Sequence, residues 1–121
     1  MKILVSSKGK DENSLMDPRF GRCEFFYIYD SEKNDFNIIE NKGFVSNEGA
    51  GVAAASQVID EDVNVVITGS IGPNVFKLFK KCEIKMYKGN NKSVKDLIFD
   101  FQNEKLEEIQ SSGPSHNGIN A

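Results

Sequence analysis

Among 15 cationic residues the chain has only two arginines, and both lie in the segment Asp17-Pro18-Arg19-Phe20-Gly21-Arg22-Cys23. A guanidinium presents planar, paired N–H donors that match carboxylate or phosphate oxygens in a way a lysine does not. Two of them three residues apart suit an anion. With Asp17 beside them they suit equally an ion-pair cluster that pins a loop. Cys23, directly after Arg22, has three readings: a soft metal ligand, a thiolate whose pKa the guanidinium lowers, or a small buried hydrophobe.

Two glycine-led segments offer backbone donors. Gly49-Ala50-Gly51-Val52-Ala53-Ala54 fits G-x-G-x-x-A. A dinucleotide fingerprint, however, follows the first strand of a βαβ unit and has an acidic residue about 20 positions on, where this chain has Thr68-Gly69-Ser70. The second segment, Gly69 to Gly72 with Pro73 and Asn74, lacks the Gly-Lys-Ser/Thr of a P-loop, so nucleotide hydrolysis has no motif. Each reads either as a tight start to a helix or as an amide nest for an anion.

Other chemistries lack their residues. The only histidine, His116, lies near the carboxyl end, so no Ser/His/Asp set can be assembled, and no enzyme is indicated. Cys23 and Cys82 give neither a disulfide framework nor a C-x-x-C pair, and Cys82 is expected in the core. A net charge of −3 argues against nucleic acid as a partner. No run approaches the length of a membrane span or a signal h-region, so a cytoplasmic setting with no membrane contact is expected.

The elements that must position these residues follow from the apolar pattern. With 121 residues the chain has room for one domain, expected over residues 1–110, with 111–121 as a flexible polar tail. Strands are expected at 2–7, 24–30 and 36–40, the last two as a hairpin. A small-residue helix over 52–59 opens at Gly49. Val63 to Thr68 is β-branched and apolar, as in a central strand, and Pro73 suits the first turn of the next helix. A short strand at 84–87 and a helix capped by Ser93 complete the pattern. Three strands followed by alternating helices and strands predict an α/β fold, a mixed sheet with helices on both faces. Its ligand crevice lies beyond the carboxyl ends of the first and fourth strands, rimmed by Ser6, Ser7, the arginine loop and Thr68 to Ser70. The polar stretch 8–22 is long for a loop and is expected to be functional or mobile. Phe20 offers it an exposed aromatic.

At this point a family resemblance emerges. The Asp17 to Cys23 segment with Phe25-Phe26, Gly49-Ala50-Gly51, Val66-Ile67-Thr68-Gly69 with Gly72-Pro73-Asn74, and Tyr87-Lys88-Gly89 with Val94 together resemble the dinitrogenase iron-molybdenum cofactor biosynthesis family, over residues 1–108. That family includes NifX, NifY and the C-terminal domain of NifB. The resemblance implies a three-layer α/β/α, ribonuclease H-like fold with strand order 3-2-1-4-5 and strand 2 antiparallel. It also implies an accessory role in nitrogen fixation: binding or carrying an iron–sulfur or iron–molybdenum cofactor precursor, with a cofactor-assembly protein as partner. Ribonuclease H-like nucleases need a carboxylate on the first strand, and Lys2 to Ser7 has none.

The resulting expectation is a small carrier of an anionic metallocluster. Its binding residues are Ser7, Asp17, Arg19, Gly21, Arg22, Gly49, Gly51, Gly69, Gly72 and Asn74, with Cys23 as the metal ligand. The alternative is an interaction or regulatory module whose loop 8–22 docks on a protein through Phe20, with no cofactor bound. A third reading is an enzyme acting on a small phosphorylated or carboxylated metabolite.

Overall fold

The computed structural model describes residues 1–45 and 49–113. Lys2–Ser7 (β1), Phe25–Asp30 (β2), Asp35–Glu40 (β3), Val65–Thr68 (β4), Lys85–Lys88 (β5) and Glu107–Glu108 (β6) form one sheet in the order β3-β2-β1-β4-β5-β6. β1 pairs antiparallel with β2 and parallel with β4, so the expected order and the reversed second strand are both present. The sixth strand is an addition. Its two glutamates pair antiparallel with Tyr87 and Lys88, and the Glu107 position faces Lys88.

Alternation along the strands splits the core into two layers. Leu4, Phe26, Ile28, Val66 and Met86 face Ala50–Asp60 (α1) and Pro73–Lys81 (α2). Ile3, Val5, Tyr27, Val65 and Ile67 face Val94–Gln102 (α3). β1 and β4 are buried on both faces, which is why they read as unbroken apolar runs. Ser93 caps α3, its side chain accepting from the Asp96 N–H at 3.2 Å.

Two expectations fail here. Phe20 is not exposed: at 2% accessibility it lies 5.4 Å from Phe26, stacked, and 5.4 Å from Phe79, edge-on, so it is a core residue of the α1/α2 layer. Cys82 is exposed, because α2 ends at Lys81 and the cysteine is its C-cap. The apolar stripe resumes at Ile84. The tail expected from 111 and its His116 lie largely outside the described residues. Of its first residues, Gly113 donates its N–H to the Ile71 carbonyl at 2.8 Å.

Candidate functional site

The crevice expected between β1 and β4 is filled by the chain itself. Met16 to Arg19 lies as a strap across the carboxyl ends of these strands, joined by single bridges, Met16 to Ser7 and Arg19 to Ser70. The Asp17 N–H donates to Ser6 O at 2.9 Å, and the Ser70 N–H donates to Pro18 O at 3.2 Å. Beneath it, Ser6 Oγ is 2.6 Å from Asp17 O and 2.7 Å from Thr68 Oγ1. A carbonyl only accepts, so the single Ser6 proton goes to Asp17 O and Thr68 donates to Ser6. The stretch 8–22 is therefore tied down at several points. Ser7 is spent locally as well, donating to Gly9 O at 2.8 Å.

The strap shows why glycines stand where they do. A Cβ on Gly69 would lie 2.6 Å from Pro18 Cβ and 2.7 Å from Pro18 Cα, and one on Gly21 would lie 2.9 Å from Gly51 Cα. The arginine loop thus touches the turn after β4 at one end and the start of α1 at the other. Both glycine-led segments meet it. At Gly21 and Gly69 the glycines permit backbone to approach backbone. Gly49 differs: it is the N-cap of α1 at φ 69°, and among the described residues beyond its chain neighbours nothing lies within 4 Å of a Cβ placed on it.

The ion pair left open by the sequence is formed. Buried Asp17 accepts from the Arg19 backbone N–H and Nε at 3.0 and 3.1 Å on Oδ1, and from Nη2 at 3.1 Å on Oδ2. Hydrogen bonding to Asp17 and its charge push the Arg19 pKa up. Two of five guanidinium N–H groups are used in this pair, and the side chain is 57% exposed. Arg22 is half-buried, its backbone N–H donating to Arg19 O at 3.3 Å.

Cys23 behaves opposite to a reactive thiolate. Burial first, and the Asp17 charge second, push its thiol up to about 12. Its Sγ is 3.4 Å from both Phe20 O and Phe25 O, and Asn41 Nδ2 donates toward it at 3.7 Å. Of the three readings, the buried hydrophobe fits this environment. Among the described residues no three His, Cys, Asp or Glu side chains converge on a metal position.

Beside the strap, at the carboxyl ends of β4 and β5, an open pocket of about 380 Å³ is lined by Lys8, Met16, Pro18, Gly69, Ser70, Lys88, Gly89, Asn90 and Asn91. None of the lining residues is acidic, and neither lysine is ion-paired among the described residues. Of the expected binding residues only Gly69 lines it; Asp17 and Arg19 flank its Pro18 wall. Ser7, Gly21, Arg22, Cys23, Gly49, Gly51, Gly72 and Asn74 do not line it. Lys8, Lys88, Asn90 and Asn91 escaped the sequence reading. The signal was present, since the rule that ligands gather beyond strand ends applies to Lys88 to Asn91 after β5 as well.

The fold and the sequence together place the chain in a family. The model of the dinitrogenase iron-molybdenum cofactor family matches residues 1–104, and the chain belongs to it. That family is involved in making or carrying the dinitrogenase iron-molybdenum cofactor. An uncharacterised protein of Methanocaldococcus jannaschii is 35% identical over 102 residues, 82% of this chain and 86% of the relative. Among solved structures, a Thermotoga protein provisionally described as NifB superposes with a TM-score of 0.81 at 27% identity, covering 93% of this chain and 96% of that one. The apo form of the orange protein from Desulfovibrio gigas shares the fold, with a TM-score of 0.87 at 24% identity, over 93% of this chain and 95% of that one.

Proposed function

We propose that this protein carries an anionic metal–sulfur cofactor, or a precursor of the iron–molybdenum type, in the pocket beside the strap. The observation that carries this reading is the pocket's lining: two lysines, amides and a thioether wall, without a carboxylate, on a chain of net charge −3. Lys8 and Lys88 supply the opposite charge. Backbone N–H groups at Gly69, Asn90 and Asn91 and the side-chain amides of the two asparagines donate to sulfides, and the unspent donors of Arg19 extend the rim. Cys23 takes no part. With no strong ligand fixed to iron or molybdenum, binding is reversible, as a carrier requires.

The experiment is an anaerobic titration of the protein with tetrathiomolybdate, a soluble anion holding molybdenum bound to sulfide, followed by its absorption bands. Two unit charges in water attract by about 1 kcal/mol at 4 Å, so reversing two lysines against a dianion weakens binding at least ~10-fold at low salt. Wild type is expected to bind and the Lys8→Glu/Lys88→Glu variant to lose that affinity. Equal uptake by both refutes the pocket as the site.

A further inference from the structure

Charge along the chain is segregated. Residues 73–95 contain seven lysines and one glutamate, a net of +6 on a chain whose total is −3. Part of this sits on α2, which has no acidic residue: Val75 and Phe79 face the core, and Lys77, Lys80 and Lys81 are all exposed. Lysines at i, i+3 and i+4 repel one another. Lys80 and Lys81 in the last turn gain from the helix dipole, but Lys77 does not, and none of the three is ion-paired among the described residues. The face continues onto β5. Lys80 and Lys85 flank a depression of about 350 Å³ floored by Ile84 and Met86 and edged by Glu83 and Glu108.

We propose that this lysine face of α2 and β5 docks an acidic protein surface with spaced carboxylates. Charge complementarity selects the sign of the partner. The density of charge selects its kind: a nucleic acid brings a phosphate to every position and meets Glu83 and Glu108 unfavourably, whereas spaced carboxylates reach Lys77, Lys80, Lys81 and Lys85 between them. None of these four lysines lines the pocket beside the strap, so docking does not depend on the cargo.

The test measures binding of a synthetic peptide with glutamate at every third position to the full chain, by fluorescence anisotropy, from about 20 mM to about 200 mM salt. The expected result is binding that weakens with salt and falls at least ~10-fold in the Lys77→Glu/Lys80→Glu/Lys81→Glu variant. The triple glutamine variant, which introduces no new charge, is expected to fall between the two. Three results overturn the proposal. They are equal peptide binding by wild type and both variants, tighter binding of single-stranded DNA of the same length, and self-association of the wild type that the variant abolishes. The last result assigns the face to a second copy of the chain.

Discussion

Replacing Gly69 by alanine tests the seating of the strap that shapes the pocket wall. Only Gly49 among the described glycines has a positive φ, so an alanine at 69 meets no backbone strain of its own and its cost is one of space. Its Cβ would sit 2.6 to 2.7 Å from Pro18 Cβ, Cα and O, two of them backbone atoms. Carbon atoms rest at about 3.5–4.0 Å, so strap or turn must move by about 1 Å. That displacement breaks the Ser70 N–H···O Pro18 bond, already 3.2 Å long. Overpacking costs about 1–3 kcal/mol and the hydrogen bond about 0.5–1.5, together about 2–4 kcal/mol. At roughly 4 °C per kcal/mol for a chain of this size, Tm falls by about 8–16 °C. Gly49→Ala is the control: among the described residues beyond its chain neighbours nothing lies within 4 Å of its Cβ, so its φ of 69° is what counts, at about 1–2 kcal/mol. Scanning calorimetry compares the two. If Gly69→Ala melts within about 2 °C of wild type, the strap is not seated as described and the account of the pocket wall fails.

Further consequences concern the thiols and the aromatic core. Native protein should release one equivalent with an aromatic disulfide reagent, from Cys82, and two after denaturation; rapid native reaction of Cys23 contradicts its burial. The Cys23 pKa is raised from 9.0 to about 12, so its stabilising contribution is complete below pH 9 and is lost as pH climbs toward 12. Denaturant melts should therefore fall more steeply across that window for wild type than for Cys23→Ala, by on the order of 4 kcal/mol in total, and parallel curves refute the shift. Phe20→Ala should cost about 3–5 kcal/mol by leaving a cavity against Phe26 and Phe79, whereas an exposed docking aromatic would cost under about 1.

How far the sequence was legible depended on which interactions left a side-chain pattern. The runs in Lys2–Ser7 and Val65–Thr68 are apolar because both faces are covered, and the five longer strands fall within two residues of their expected places. β6 left no trace, since Glu107 and Glu108 join the sheet by backbone pairing at its edge. A short 3₁₀ turn over Lys42–Val45 was equally silent. The strap was misread for the same reason. Isolated bridges at Met16 and Arg19 and the Ser6 to Asp17 bond use backbone atoms, so residues 8–22 looked like an open loop. Phe20 looked available for docking because its partners, Phe26 and Phe79, come from distant parts of the chain. The arginine motif lies at the end of the sheet where the pocket opens, though neither arginine lines it. Lys8 and Lys88, the pocket's cations and without an ion pair among the described residues, were two among 13 lysines, and only the fold distinguishes them.

The central claim is the location of the anion, and amide chemical-shift mapping reads it directly. On adding tetrathiomolybdate to labelled protein under anaerobic conditions, the account predicts shifts at Lys8, Gly69, Ser70, Lys88 and Gly89 to Asn91, with little change at Gly49, Gly51 or Gly72. Shifts gathered at Gly49 to Gly51 instead, or no shifts at saturating anion, would contradict it.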